Sequence, residues 1–271
     1  MDFPRYRLVA VDLDDTLLKN DLRISPRVKE SIWKARELGV EVTLATGRMF
    51  RSAVPYAEEL GLNLPLITYQ GALVKNSRSG EVLYYRPVPQ HLVKPVLETV
   101  RPLGYHLQMY YEDQLCMEKL TREGEDYARM AGVEAVLVED LEKACPEPTK
   151  ILVVEYHEPR LQELEAVLRE RFGRELYITR SKPYYLEMLH PEATKGRALR
   201  VVAGYFGIPR QEVIAIGDSF NDLDMIRYAG LGVVMENARE EVKRFADYVT
   251  RSNEDDGVAE VLEKFVLGRE E

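Results

Sequence analysis

Cysteine is almost absent: Cys116 and Cys145 are the only two among 271 residues. Two thiols build neither a disulfide scaffold nor a thiolate zinc cluster. Both are expected as small buried hydrophobes in a reducing, cytoplasmic setting. Long apolar runs are missing as well. The first, Leu8 to Val11, stops at Asp12, far short of the roughly 20 residues of a membrane span, and no targeting segment is visible, so neither a membrane nor a secreted protein is expected. Positive charge is in deficit, with 37 Lys and Arg against 46 Asp and Glu and a net charge of −9. That balance argues against a chain that coats nucleic acid or an anionic membrane. The four histidines, His91, His106, His157 and His190, lack metal-ligand spacing and are assigned no catalytic work. Neither G-x-G-x-x-G nor G-x-x-x-x-G-K-[ST] occurs, which removes the strongest sequence grounds for a dinucleotide or P-loop site. Repeats and low-complexity tracts are also missing, and Glu270 and Glu271 read as a solvated tail.

What is present is alternation. Leu8 to Val11, Val40 to Ala45, Leu66 to Tyr69, Val213 to Ile216 and Leu231 to Met235 are short apolar runs separated by helical patterns, which predicts α/β with a mainly parallel sheet. Ser25 and Pro26 look like an N-cap and first helical position, and Val28, Ile32, Ala35 and Leu38 follow at helical spacing before Gly39, with Trp33 expected as packing. Two later helices are predicted, over Leu199 to Phe206 and about Asn221 to Tyr228. Between Arg86 and His190 the rhythm changes, and a βα crossover cannot hold that many residues. The spacing predicts an inserted α+β domain over 86–190, with 1–85 and 191–271 forming the core. Within the insert, a helix near His91 to Val100 precedes strands at Tyr105 to Tyr111 and Gln114 to Glu118. Ile151 to Tyr156, a helix near Leu161 to Arg171, and the pair Glu175 to Thr179 and Tyr184 to Leu189 come later.

The chemistry gathers where the apolar runs end. Leu8 to Val11 runs into Asp12-Leu13-Asp14-Asp15-Thr16, Val42 to Ala45 into Thr46-Gly47-Arg48, and Val213 to Ile216 into Gly217-Asp218-Ser219-Phe220-Asn221-Asp222. In an open parallel sheet the ligand site lies beyond the carboxyl ends of the strands, so these segments can converge. Asp12 and Asp14, two apart on an extended segment, start on one face, and a third carboxylate from Asp218 would repel them unless a cation sat between. Hard oxygen ligands favour Mg²⁺. A single Asp-x-Asp after a strand is better read as turn and helix capping; three polar strand ends together reverse that preference.

These residues resemble a family. Asp12 to Thr16 resembles the first motif of the haloacid dehalogenase superfamily, Thr46-Gly47-Arg48 its second, Lys195 its third and Gly217 to Asp222 its fourth. The insert is similar to the large α/β cap of the Cof-type, class IIB phosphatases, and Ser252 to Val258 resembles that group's C-terminal signature. The resemblance implies a Rossmann-like core and phosphoryl transfer through an aspartyl-phosphate. Asp12 would be the nucleophile and Asp14 the acid and base. Mg²⁺ would be held by the Asp12 side chain, the Asp14 carbonyl and Asp218. Thr46, Gly47, Arg48, Lys195 and Asn221 would bind the phosphoryl group or substrate, with Asn221 and Asp222 orienting Lys195 or metal-bound water.

Plainer roles compete with these. Thr46 and Asn221 could simply cap helices, Lys195 alone would read as a surface charge, and Arg48 divides evenly between surface and substrate contact. Asp224 is expected as an exposed helix residue. Asp15 stands where the family usually has Gly, Gln70 where Asn is common and Glu236 where Gly is frequent, which leaves contacts at the pocket edge open while neither Gln70 nor Glu236 is expected at the reaction centre. Tyr110, Tyr111, Lys182, Tyr184 and Tyr185 are candidates for contact with a ring or hydroxyls. The expected partner is a small phosphorylated metabolite, a sugar phosphate or a cofactor such as flavin mononucleotide or pyridoxal phosphate. No nucleic acid or membrane is expected, and the chain is expected to be a monomer or weak homodimer. A phosphomutase and a non-catalytic metabolite-binding module remain as alternatives.

Overall fold

The computed structural model describes residues 5–268; Glu270 and Glu271 lie outside them. Its strands are β1 (Leu8–Val11), β2 (Glu41–Leu44), β3 (Pro65–Thr68), β4 (Leu73–Asn76), β5 (Val82–Tyr85), β6 (His106–Tyr111), β7 (Gln114–Met117), β8 (Ala135–Leu137), β9 (Lys150–Val154), β10 (Tyr177–Lys182), β11 (Tyr185–Leu189), β12 (Val213–Gly217), β13 (Leu231–Met235) and β14 (Tyr248–Thr250). The helices are α1 (Pro26–Glu37), α2 (Phe50–Glu59), α3 (Gln90–Val100), α4 (Arg122–Ala131), α5 (Leu141–Ala144), α6 (Glu158–Phe172), α7 (Lys195–Tyr205), α8 (Leu223–Tyr228), α9 (Glu240–Lys243) and α10 (Gly257–Phe265).

The core sheet has the order β14-β13-β12-β1-β2 and is parallel throughout. β1, β12 and β13 are buried along their whole length. Burial on both faces is why the sequence reads there as unbroken apolar runs. β1 leads outward to β2 on one side, while β12, β13 and β14 extend on the other, so the strand order reverses beside β1. That reversal opens a crevice at the carboxyl ends of β1 and β12.

On α1, Ser25 Oγ accepts from the Val28 N–H at 3.2 Å and Pro26 occupies the first helical position, a cap that contributes about 1 kcal/mol. Val28, Ile32 and Ala35 face the core. Trp33 and Leu38 do not pack: they are 55% and 47% exposed. Trp33 follows Ile32 by one residue, about 100° around the helix and off the buried stripe. Leu66 to Tyr69 also differs from its expected place. β3 pairs antiparallel with β4, which pairs with β5, and this small sheet joins the parallel one beside β2, at the parallel bridge Ala45–Ile67.

The chain between β5 and α7 builds a second sheet, β10-β11-β9-β6-β7-β8, antiparallel except where β7 meets β8. Its cluster of Leu92, Val96, Met109, Ile151, Leu164 and Leu186 encloses Cys116 and Cys145, both free thiols and both buried. The other face carries Tyr110, Leu115, Leu152 and Tyr185 into the cluster that also contains Tyr69 and Phe50 of the core. A ladder of edge-on rings runs Tyr69–Tyr110–Tyr127–Tyr185–Tyr184, with centroids 5.6, 6.1, 5.5 and 4.6 Å apart. No described helix is long and apolar enough to cross a membrane.

Candidate active site

Asp12 follows directly on β1, anchored by its N–H to the Ile216 carbonyl at 3.0 Å. The segment beyond it turns sharply. Asp14 is extended, and Asp15 adopts φ of 60°, a left-handed conformation that Asp tolerates better than most residues. Asp15 therefore makes the turn that glycine would make, and its side chain forms an ion pair with Lys182 of β10. The Asp15 carbonyl accepts from Asn237 Nδ2 at 2.8 Å. Asn237 Oδ1 in turn accepts from the Asn253 N–H at 3.1 Å, and Asn253 Nδ2 donates to the Leu18 carbonyl at 2.9 Å. The Ser252 to Val258 segment thus braces the first loop. Glu236 is exposed and outside the cleft lining.

Lys195 opens α7 and is buried to 1% exposure. Its Nζ lies 2.6 Å from Asp12 Oδ1 and 2.6 Å from Asp222 Oδ1. The surface reading of this lysine is thereby removed. Burial works against its charge, but the two carboxylates outweigh that and hold the ammonium protonated well above its ordinary range. Asp222 Oδ2 accepts from the N–H groups of Asp218 and Ser219 at 3.1 and 3.0 Å, so both its oxygens are engaged by the protein. Thr16 Oγ1 donates to Asp218 Oδ1 at 3.0 Å.

Carboxylate oxygens of Asp12, Asp218 and Asp222 all lie within 4.8 Å of one another. One ammonium cannot balance three carboxylates. Burial pushes the Asp12 carboxyl up to about 7, with Lys195 pulling it back and Asp222 and Asp14 pushing further. Burial together with Asp222 and Asp12 lifts Asp218 well above the carboxylate range. Asp12 and Asp218 keep hard oxygens that no described donor takes, so this cluster suits a divalent cation, while Asp222 holds Lys195 and the Asp218 loop behind them.

Arg48 does something that neither sequence reading contained. Its Nε and Nη2 grip Asp14 Oδ2 and Oδ1 at 2.9 and 2.7 Å, and its Nη1 reaches the Tyr56 hydroxyl at 3.3 Å. Burial raises the Asp14 carboxyl, but the guanidinium fork more than reverses this and leaves it below its usual range. Thr46 Oγ1 accepts from the Arg48 N–H at 3.1 Å and so fixes its own loop, but it does not cap the helix that follows, whose N-cap is Met49 with no side-chain bond; nor is Asn221 a cap, since Ser219 holds that place.

Asp224 is not the exposed residue the sequence suggested: its Oδ2 accepts from the Gly196 N–H at 2.8 Å and holds the first turn of α7. Gln70 is not at the pocket edge. It is 1% exposed and joins Asn221, whose Nδ2 donates to Gln70 Oε1 at 3.0 Å, to Glu187 Oε2 at 2.7 Å. Asn221 Oδ1 is buried without a partner among the described residues. With Nδ2 given to Gln70, the group it has left is an acceptor, whereas a phosphoryl oxygen needs a donor.

These groups surround a cleft between the two sheets. Asp12, Asp14, Gly47, Arg48, Asp218 and Asn221 line it; Thr46, Lys195 and Asp222 lie outside that lining. Of the second-sheet candidates, Lys182 and Tyr185 line it, whereas Tyr110, Tyr111 and Tyr184 do not. Sequence reasoning missed Ser52, Tyr127, Met130, Lys150 and Glu187, which do. A signal for two of them existed. Lys150 and Glu187 each interrupt or abut an apolar strand run, and a lone charge there survives burial only when paired.

The position of Lys195 depends on a glycine. Gly71 has φ of +99°, and a Cβ there would stand 2.3 Å from the carbonyl oxygen of Thr194, the N-cap of α7. Replacing Gly71 by Ala is expected to destabilise the fold by about 2–4 kcal/mol, combining overpacking with left-handed strain. A thermal midpoint unchanged from the parent would contradict this account of how α7 is seated.

The model of the haloacid dehalogenase-like hydrolases matches residues 9–262. A Bacillus subtilis protein named as a 5-amino-6-(5-phospho-D-ribitylamino)uracil phosphatase is 31% identical over 264 residues, covering 96% of each chain. A solved haloacid dehalogenase-like hydrolase of Bacteroides thetaiotaomicron superposes with a TM-score of 0.87 at 33% identity, covering 96% of this chain and 99% of that one. A Thermotoga maritima structure does so with a TM-score of 0.84 at 35% identity, covering 96% and 97%. With its parallel core, its acidic strand ends and a match over nearly its whole length, this chain is a member of the haloacid dehalogenase-like hydrolases, in their Cof-type phosphatase group.

Proposed function

We propose that the protein is a Mg²⁺-dependent phosphomonoesterase that hydrolyses a small phosphorylated metabolite through a phosphoryl group carried on Asp12. The observation that carries this reading is the buried Lys195 bridging Asp12 and Asp222 at 2.6 Å beside Asp218, with Asp14 next to them on the cleft wall. A divalent cation held by Asp12, Asp218 and the Asp14 carbonyl would offset the repulsion between a carboxylate and an anionic phosphate. Lys195 fixes the Asp12 carboxylate so that its free oxygen faces the cleft, and screens its charge. Thr46 keeps its hydroxyl proton for a phosphoryl oxygen while its oxygen holds the Arg48 amide. Asp14 gives a proton to the leaving oxygen and takes one from the incoming water. A carboxylate gripped by a guanidinium is a reluctant donor, so Arg48 must first turn to another anion, and the arriving phosphate is one.

The segment 86–190 acts in this proposal as the cap, closing over the leaving group and excluding water. The cleft is apolar along Tyr127, Met130, Ala131 and Tyr185 and polar along Ser52, Ser181 and Lys182. That division suits a phosphorylated polyol or sugar joined to a planar ring, the chemistry in the name of the Bacillus relative. Two buried free thiols fit a cytoplasmic setting. Phosphate release should be measured over a panel containing p-nitrophenyl phosphate, hexose and pentitol phosphates, flavin mononucleotide and pyridoxal phosphate. Turnover of at least one metabolite, without a bisphosphate requirement, is expected, and silence across the panel would defeat the proposal.

A further inference from the structure

Lys150 and Glu187 are both 1% exposed, on neighbouring strands of the second sheet, and both line the cleft. Glu187 stands opposite Leu152 in the antiparallel register of β11 and β9, so Lys150 is its diagonal neighbour on the same face. Their ion pair, Nζ to Oε1 at 2.9 Å, does not end within that sheet. We infer that this pair is a positioning device, setting the Thr46-Gly47-Arg48 loop for phosphoryl transfer and fixing the direction of the Asn221 amide when the second sheet is seated on the core; the inference rests on the phosphatase reading above.

The first arm runs through Lys150. Its Nζ donates to the Gly47 carbonyl at 2.8 Å and lies 4.8 Å from the centre of the Tyr110 ring. The N–H of the same peptide unit, on Arg48, donates to Thr46 Oγ1 at 3.1 Å. The peptide between Gly47 and Arg48 is thus held at its carbonyl by the second sheet and at its N–H by the core, which fixes the backbone from which Arg48 reaches Asp14.

The second arm runs through Glu187. Its Oε1 accepts from Lys150 and from Ser181 Oγ at 3.0 Å, and its Oε2 accepts from Gln70 Nε2 at 2.7 Å. An ionised carboxylate only accepts, so Gln70 must show it the amide nitrogen and turn its carbonyl to Asn221. Asn221 must then donate through Nδ2, which leaves its Oδ1 as the buried, unpartnered acceptor on the cleft side. One carboxylate in the second sheet therefore dictates the polarity of a side chain on the β12 loop.

Lys150 Nζ has two protein acceptors and Glu187 three protein donors, so both charges are engaged within the protein before any substrate arrives. A pair that merely stabilised the fold would be replaceable by apolar side chains of similar length. The test uses the full chain with Lys150→Met and Glu187→Met combined, beside Glu187→Gln alone. kcat and KM are measured on p-nitrophenyl phosphate and on a pentitol phosphate, with thermal unfolding alongside. The double variant is expected to unfold within about 5 °C of the parent. Its kcat should fall about 100-fold on both substrates with little change in KM, the cost of a mis-set catalytic loop. Glu187→Gln, which keeps volume but frees the direction of Gln70, should lower kcat about tenfold on both and carries the test if the double variant does not fold. Parent-like kcat in either folded variant, or a loss confined to the pentitol phosphate and expressed in KM, would overturn the inference. A parent silent across the whole panel above would overturn the phosphatase reading instead, and this inference with it.

Discussion

Replacing Asp12 by Asn is expected to lower phosphate release by about four orders of magnitude or more while leaving the fold intact. The proposed reaction needs an anionic oxygen that can bond to phosphorus and later be displaced, and a carboxamide offers none. The fold should survive because Asn keeps the shape at the end of β1 and Lys195 retains Asp222 at 2.6 Å. The buried charge balance also shifts favourably, from three carboxylates around one ammonium to two. Purified parent and variant are to be compared by phosphate release and by intact mass after a brief exposure to substrate. A phosphorylated parent and an unmodified variant are expected; parent-like turnover by the variant would eliminate the covalent route.

Stripping divalent cations with a chelator should bring phosphate release to background, and added Mg²⁺ should restore it. The electrostatics give this a pH signature. The Asp12 carboxyl, ordinarily near 3.8, is pushed up to about 7 chiefly by burial. A folded-state value raised above the unfolded one means that the native state binds the extra proton. In the metal-free protein that contribution is fully present below 3.8 and is lost as pH rises through about 7. A bound cation takes over the proton's role, so its stabilising increment should grow across the same window. The metal-free thermal midpoint is expected to fall between about pH 5 and pH 8, and the rise on adding Mg²⁺ to be larger at the upper end. Asp12→Asn should show a weaker fall. A chelated enzyme that keeps turning over would end the case for the cation, and a Mg²⁺ increment that shrinks with pH would end the case for the proton competition.

The parallel core was legible because its strands are apolar on both faces and end in polar residues, a contrast that survives without coordinates. Direction was less legible. Leu66 to Tyr69 is a short, strand-prone run like its parallel neighbours, and nothing in four residues says that β3 will pair antiparallel with β4. α4 escaped notice because Gly124 interrupts a mostly polar stretch, yet it supplies Tyr127, Met130 and Ala131 to the cleft. The acidic strand ends could be placed near one another because sheet topology brings them together. Gln70 could not be placed, since its roles are defined by Glu187, 117 residues away, and Asn221, 151 residues away. Asp224 was misjudged for a similar reason: its partner is a backbone N–H on another helix. Arg48 was assigned by asking whether it met solvent or substrate, whereas its first partner is the carboxylate two residues beyond Asp12.

The outward turn of Trp33 decides how this enzyme can be watched. It is the sole indole in the chain and is 55% exposed on α1, outside the cleft lining. Emission excited at the red edge of the indole absorption band will therefore follow that helix's outer surface and stay nearly silent when a ligand arrives. The informative chromophores are the phenols of Tyr127 and Tyr185, whose rings line the cleft and meet edge to face. Difference absorbance in the tyrosine band is the optical record in which occupancy should be sought.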